Sequence, residues 1–189
     1  MKYGKIKTPK ELLEFMNQNI KYGFVDFEGK IYTPNSDKNF QYACKRKWFL
    51  SSPNRLLDVK YGHCFDQVEL ERDWFCKHDY IYKTIYICFL LPYDNSYSIH
   101  SYLVFKEKDK WNYFEHSDLK NRGIYTFNTF EDVIEYQKEI HIENNRARNF
   151  VSEEELKYIY IYEYDKPTFN CSMTEFTQNI LENGNEIKI

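Results

Sequence analysis

The chain predicts an α+β fold in which a cysteine-bearing helix packs on an antiparallel sheet. Three observations carry this. Helix signals cluster before residue 78. Strand signals with turn residues between them run from 80 to 116. Cys64 stands at the start of the last helix before those strands. Helices followed by hairpin-linked strands make a segregated α+β arrangement.

Thr8-Pro9-Lys10-Glu11 opens the first helix, which runs to about 19. Thr8 can cap, Pro9 suits the first helical position and Glu11 completes a capping box. Leu12, Leu13, Phe15 and Met16 form its apolar face. Residues 23–32 read as a short hairpin or loop-rich segment, and 32–39 as a loop. A helix is expected over 40–50, ended by Ser51-Ser52-Pro53, and a shorter one over 54–59. Gly62 breaks the chain and allows a tight entry to the next helix. In 64–77, Phe65, Val68, Arg72 and Phe75 fall at helical spacing with Trp74 beside them, so a half-buried helix is expected, with Cys64 near its N-terminus.

Segments 80–91, 97–106 and 111–116 are strands by their β-branched and aromatic content. Residues 92–96 and 107–109 are their turns. Thr129-Phe130-Glu131-Asp132 starts a helix to about 139, and 144–150 reads as a polar loop. Ser152-Glu153-Glu154-Glu155 starts one helical turn. Residues 158–164 alternate, with Tyr158, Tyr160, Tyr162 and Tyr164 on one face. Ser172-Met173-Thr174-Glu175 is a capping box for a last helix to about 181, and 184–189 is expected to fray. A length of 189 residues suits one domain, 1–189, with its core over 53–118 between helical N-terminal and α/β C-terminal elements.

With 18 tyrosines and 15 phenylalanines, a substantial core is available. The formal net charge is -3 with mixed signs, and Lys45-Arg46-Lys47 is a short solvated cluster, so no nucleic-acid partner is expected. The start lacks a basic-then-apolar leader, and the longest apolar segment, 80–91, carries Lys83 and is too short to span a bilayer. A cytoplasmic protein without a membrane partner is expected. The five cysteines, Cys44, Cys64, Cys76, Cys88 and Cys171, are odd in number and irregularly spaced, which implies no disulfide framework. Cys88 reads as an inert core thiol, and Cys44 as an exposed one. No cofactor is implied.

Cys64, then His100, then Glu115 is the order of a thiol nucleophile, its base and the base's orienter. A helix N-terminus lowers a thiol's pKa and offers N–H groups to an oxyanion. If the hairpin turn is centred between Glu107 and Lys108, His100 lies directly opposite Glu115; a register shift of two leaves them diagonal neighbours on one face. Asp118 is the rival acid and His116 the rival base. Two other chemistries compete. His63, Cys64, Cys76 and His78 have zinc-ligand residue types without a standard spacing. The tyrosine face of 158–164 offers a docking surface, which would make the chain a non-catalytic binding module.

Gly62-His63-Cys64-Phe65-Asp66, then His100, then Trp111-Asn112-Tyr113-Phe114-Glu115, resembles the core of the transglutaminase-like superfamily. The resemblance covers 53–118. It implies a papain-like core, with Cys64 as nucleophile, His100 as general base and acid, Glu115 as orienter and Asp66 in a helix-start role. The family's third member is most often Asp, and this chain has Glu. The resemblance implies a cysteine hydrolase or acyltransferase acting on a protein or peptide amide, as peptidase, deamidase or acyl-transfer enzyme. No calcium-loop spacing is present. For the oxyanion, the Cys64 N–H is expected to serve, with Gln41 as a weak partner.

Overall fold

Thr8 caps the first helix of the structure, a computed structural model that describes residues 2–91, 98–148 and 152–188. Its hydroxyl accepts the Glu11 N–H, and Pro9 holds the first position of α1 (Pro9–Asn19). The Glu11 carboxylate takes the Lys7 N–H at 2.7 Å, one residue before the cap the box anticipates. There follow β1 (Lys21–Tyr22), the hairpin β2 (Phe24–Val25) and β3 (Ile31–Tyr32), α2 (Phe40–Lys47), α3 (Pro53–Val59), β4 (Tyr61–Gly62) and α4 (Cys64–Lys77). Next come β5 (Ile81–Phe89), β6 (Ile99–Glu107), β7 (Lys110–Glu115), β8 (Gly123–Phe127), α5 (Phe130–Arg148), β9 (Ile159–Glu163), α6 (Met173–Asn183) and β10 (Asn185–Glu186). The turn expected over 92–96, Tyr97, residues 149–150 and Ile189 lie outside the described residues.

Six strands form one antiparallel sheet in the order β10-β9-β5-β6-β7-β8. Because side chains alternate across a strand, the sheet has two distinct faces. Tyr86, Cys88, Leu103, Phe105 and Phe114 meet α4, with α1, α2, α3 and α6 packed around it. Ile85, Ile87, Tyr102, Val104 and Tyr113 meet Val133 and Ile134 of α5. The result is α+β with helices on both faces. Among the described residues, no helix is long and apolar enough to cross a membrane.

Helix α4 is buried far more than its apolar stripe anticipates. From Cys64 to Phe75 only Asp73 is not buried, because the sheet covers one side and α1 with α3 the other. Arg72 is paired inside, to Glu69, the Thr84 hydroxyl and the Tyr164 carbonyl, whereas Glu71 Oε2 is buried without a hydrogen-bond partner. Helix α5 continues through the expected polar loop at 144. Val133, Ile134, Gln137, His141 and Asn145 repeat at helical spacing and are buried, so the inner face turns polar while the period persists. The C-terminus does not fray over 185–187. Asn185 and Glu186 pair with β9, and the Ile187 N–H meets the Ile161 carbonyl, which closes an otherwise open strand edge. Strand β8, unanticipated, pairs along β7. Tyr162 and Tyr164 pack against α6 in the core, while Tyr158 and Tyr160 are half-buried.

The β6–β7 hairpin turns one residue later than expected. Glu107 pairs with Lys110, and Lys108 and Asp109 both have positive φ, at 49° and 62°. Two left-handed central residues make the type I′ turn, whose twist matches that of the strands. Every pairing therefore shifts by two. The ladder's last pair is Leu103↔Phe114, so His100 lies beyond it and diagonal to Glu115. Since side chains repeat every two residues, the shift keeps both on one face.

Lysine and aspartate occupy turn positions that asparagine and glycine fill at lower cost. Replacing Lys108-Asp109 with Asn-Gly should stabilise the protein by about 1 kcal/mol in urea unfolding. Destabilisation would contradict the turn type.

Candidate active site

The first turn of α4 is held from inside. Asp66, 1% exposed, accepts Trp48 Nε1 (2.9 Å), the Ser51 N–H (2.7 Å) and the His63 N–H (2.8 Å). Burial pushes its carboxyl up to about 6, against these hydrogen bonds and the nearby His63 charge, which pull it down. Gln67 completes the turn. Its Nε2 donates to the Gly62 carbonyl at 2.8 Å, and its Oε1 meets His116 Nδ1 at 2.5 Å. Gly62 is required for space rather than for an unusual φ. A Cβ there would lie 2.7 Å from Leu56 Cδ1 and 3.1 Å from Asp66 Cβ, while the positive-φ glycines are Gly23 and Gly29.

Cys64, His100 and Glu115 come together. His100 Nε2 is 2.7 Å from Glu115 Oε2. His100 also lies near enough to the Cys64 thiol for each to shift the other's titration, while the hydrogen bond of Sγ runs to His63 Nδ1 at 3.1 Å. Strands β6 and β7 have parted here, and the N-terminus of α4 meets their ends, as the Gln67–His116 bond shows. Cys64 is 1% exposed and Glu115 2%, whereas the His100 side chain keeps 18%.

Glu115 is saturated with donors. Oε2 also accepts the Tyr113 hydroxyl at 2.5 Å, and Oε1 accepts the Ser117 hydroxyl (2.9 Å) and the Asp118 N–H (2.8 Å). Burial alone would raise its carboxyl; the His100 charge and these bonds outweigh burial and hold it at about 2. Burial likewise opposes a charged His100, but the Glu115 charge and the contact with Cys64 carry its pKa well above the usual histidine value. At Cys64 burial again opposes charge, and His63 and His100 together bring the thiol down to about 6. A thiolate–imidazolium pair therefore spans neutral pH.

The rivals are elsewhere. Asp118 turns its carboxylate to the Lys120 N–H and to the side chains of Asn121 and Asn144. His116 bonds Gln67, and burial with the Arg122 charge lowers it to about 3, which leaves it neutral. Cys64 and Cys76 are twelve residues apart on one helix, about 18 Å at 1.5 Å per residue, so they cannot share a zinc ion. Among the described residues, no three His, Cys, Asp or Glu side chains converge as a metal site. Gln41 is exposed on α2 and lines the cavities.

Two cavities lie beside the site, one lined by each histidine, and Cys64 is in the wall of neither. One, about 780 Å³, lies between α2 and α6 and has His63 in its wall. The other, about 880 Å³, reaches α5 and has His100, Asp118, Gln137 and His141 in its wall. Tyr22 and Phe40 line both. Sequence reasoning missed Tyr113 and Ser117 as partners of Glu115, although i±2 spacing on a strand signals them. It weighed His63 only as a zinc ligand, whereas its Nδ1 is 3.1 Å from Cys64 Sγ. Cys44 is buried, contrary to expectation, and Cys76 is the exposed thiol; Cys88 is fully buried, which raises its pKa. The chain matches no protein-family model and no curated protein.

Two measurements follow from this geometry. Alkylation of Cys64 by chloroacetamide should rise through pH 6 and level off by neutrality, well below the pH of about 8.5 at which a free thiol titrates. Peptide mapping beside Cys76 and Cys88 reads it. His100→Ala should raise the midpoint, and Glu115→Gln should raise it less. Asp66→Ala strands three buried donors and should cost about 3 kcal/mol or more in urea unfolding; a loss under about 1 kcal/mol would mean that α4 does not depend on this carboxylate.

Proposed function

We propose that this chain is a transglutaminase-like cysteine enzyme that acts on an amide of a protein or peptide through a thioester at Cys64, on a papain-like core. The observation that carries this is the linked set of Cys64 at a buried helix start, His100 against its sulfur, and Glu115 2.7 Å from His100 Nε2. A pair charged at neutral pH has the nucleophile ready before substrate binds.

The chemistry follows from the roles. Cys64 Sγ attacks the amide carbonyl carbon, and charge moves to the oxygen. The free N–H groups of the first turn of α4 are the donors at hand for that oxyanion. The C–N bond breaks, and His100 gives its proton to the departing amine. Glu115 keeps the imidazole oriented and steadies its charge. Water or a second amine then attacks the thioester carbon while His100 takes its proton, and the C–S bond breaks. Water gives a peptidase or deamidase, an amine an acyl transfer.

The experiment is a screen of peptide and glutamine amides with intact-mass detection of an acyl adduct. Cys64→Ser and His100→Ala should each abolish turnover, and Glu115→Gln should reduce it by about tenfold to a thousandfold. Turnover that survives Cys64→Ala, or the absence of any adduct at Cys64 across the screen, would favour a non-catalytic binding module.

A further inference from the structure

Cys64 has a second imidazole against it. His63 is the N-cap of α4, and its extended backbone, φ −70° and ψ 168°, brings the ring of a chain neighbour onto the thiol. Nδ1 stands 3.1 Å from Sγ. The ring is fixed in an aromatic nest, with centroids 5.0 Å from Phe65, 5.3 Å from Tyr22 and 6.2 Å from Trp48. At 8% exposure it has little freedom to leave. Its ring meets the Cys64 thiol, with the Cys44 thiol of α2 nearby, and the residue forms a capping box with Asp66, whose carboxylate takes the His63 backbone N–H. His63 lines the cavity between α2 and α6, whereas His100 lines the one toward α5.

We propose that His63 is a second catalytic imidazole that donates its Nδ1–H to the Cys64 sulfur whenever that sulfur carries charge. This role rests on the thioester mechanism above and deepens it. In the second half-reaction, His100 is engaged with the incoming water or amine and takes its proton. As the C–S bond breaks, the electron pair returns to sulfur. His63, on the side of the other cavity, offers a donor that the incoming nucleophile does not occupy. In the resting protein the same bond favours thiolate over thiol. The titratable groups around the contact are Tyr22 on β1, Cys44 on α2, Asp66 and Glu71 on α4, His100 on β6, Glu115 on β7 and Tyr164 after β9. Of these, His100 is the other imidazole whose charge acts on the sulfur.

The test compares the pH dependence of Cys64 alkylation by chloroacetamide in the full chain and in His63→Phe, His63→Asn and His100→Ala. Phenylalanine keeps the aromatic packing and removes the N–H; asparagine restores a donor near the place of Nδ1. His63→Phe should move the midpoint up by a pH unit or more, which is about tenfold slower alkylation at pH 5, and His63→Asn should recover most of that loss. A folded His63→Phe with an unmoved midpoint overturns the proposal, and the His100 pairing still stands if His100→Ala raises the midpoint. A midpoint that moves in His63→Phe but not in His100→Ala supports the His63 contact and removes His100 as the thiol's base. If His63→Phe does not fold, the wild type decides by ¹⁵N-resolved imidazole NMR. A protonated His63 Nδ1 that shifts on alkylation of Cys64 is expected; an Nε2–H tautomer indifferent to alkylation overturns the proposal.

Discussion

A helix that begins inside a protein presents unpaired backbone N–H groups to a medium without water, and α4 begins in the interior. The surrounding structure answers this constraint. Asp66, on the first turn, is buried to accept the His63 N–H, and its remaining oxygen capacity draws in Trp48 and the Ser51 N–H. That fastens the segment after α2 across the start of α4. Gly62 lacks a side chain because Leu56 and Asp66 fill the space where a Cβ would stand. The turn so built leaves the first N–H groups of the helix beside the Cys64 thiol, where partial positive charge favours a thiolate.

The opposite wall is built by the same economy of buried charge. Glu115 is almost fully enclosed, and an enclosed carboxylate persists only with several donors. His100, Tyr113, Ser117 and the Asp118 N–H supply them. The side chain is therefore charged and immobile, and its charge is what keeps His100 protonated despite burial. His100 lies past the last ladder pair, and Glu115 reaches it diagonally. Glu71, buried on α4 near the same groups, has its carboxyl pushed well up by burial and by the Glu115 charge.

Much of this was legible in the chain. The caps at Thr8 and Ser172, the strands around His100 and Glu115, and the start of α4 at Cys64 all follow from local residue preferences. The alternation of Tyr113 with Glu115 is equally local. Less was legible where polar residues are buried. Gln137, His141 and Asn145 look like a solvated loop until the sheet covers them, so α5 runs on to Arg148. Lys108-Asp109 carries no glycine to announce two left-handed residues, so the turn was placed one residue early. Cys44 sits beside a basic cluster yet faces inward.

By itself the sequence determined α1, α4, α6 and the strands that carry the site, the order Cys64, His100, Glu115, and the face that His100 and Glu115 share. It could do so because helix and strand periods and capping chemistry are set by neighbours in the chain. Only the tertiary structure decided that Glu115 rather than Asp118 meets His100, that His116 is turned to Gln67, and that His63 stands against the Cys64 sulfur. Those outcomes depend on which buried donor finds which buried acceptor once α4 is pressed against the parted ends of β6 and β7. That matching spans dozens of residues, and no local period encodes it.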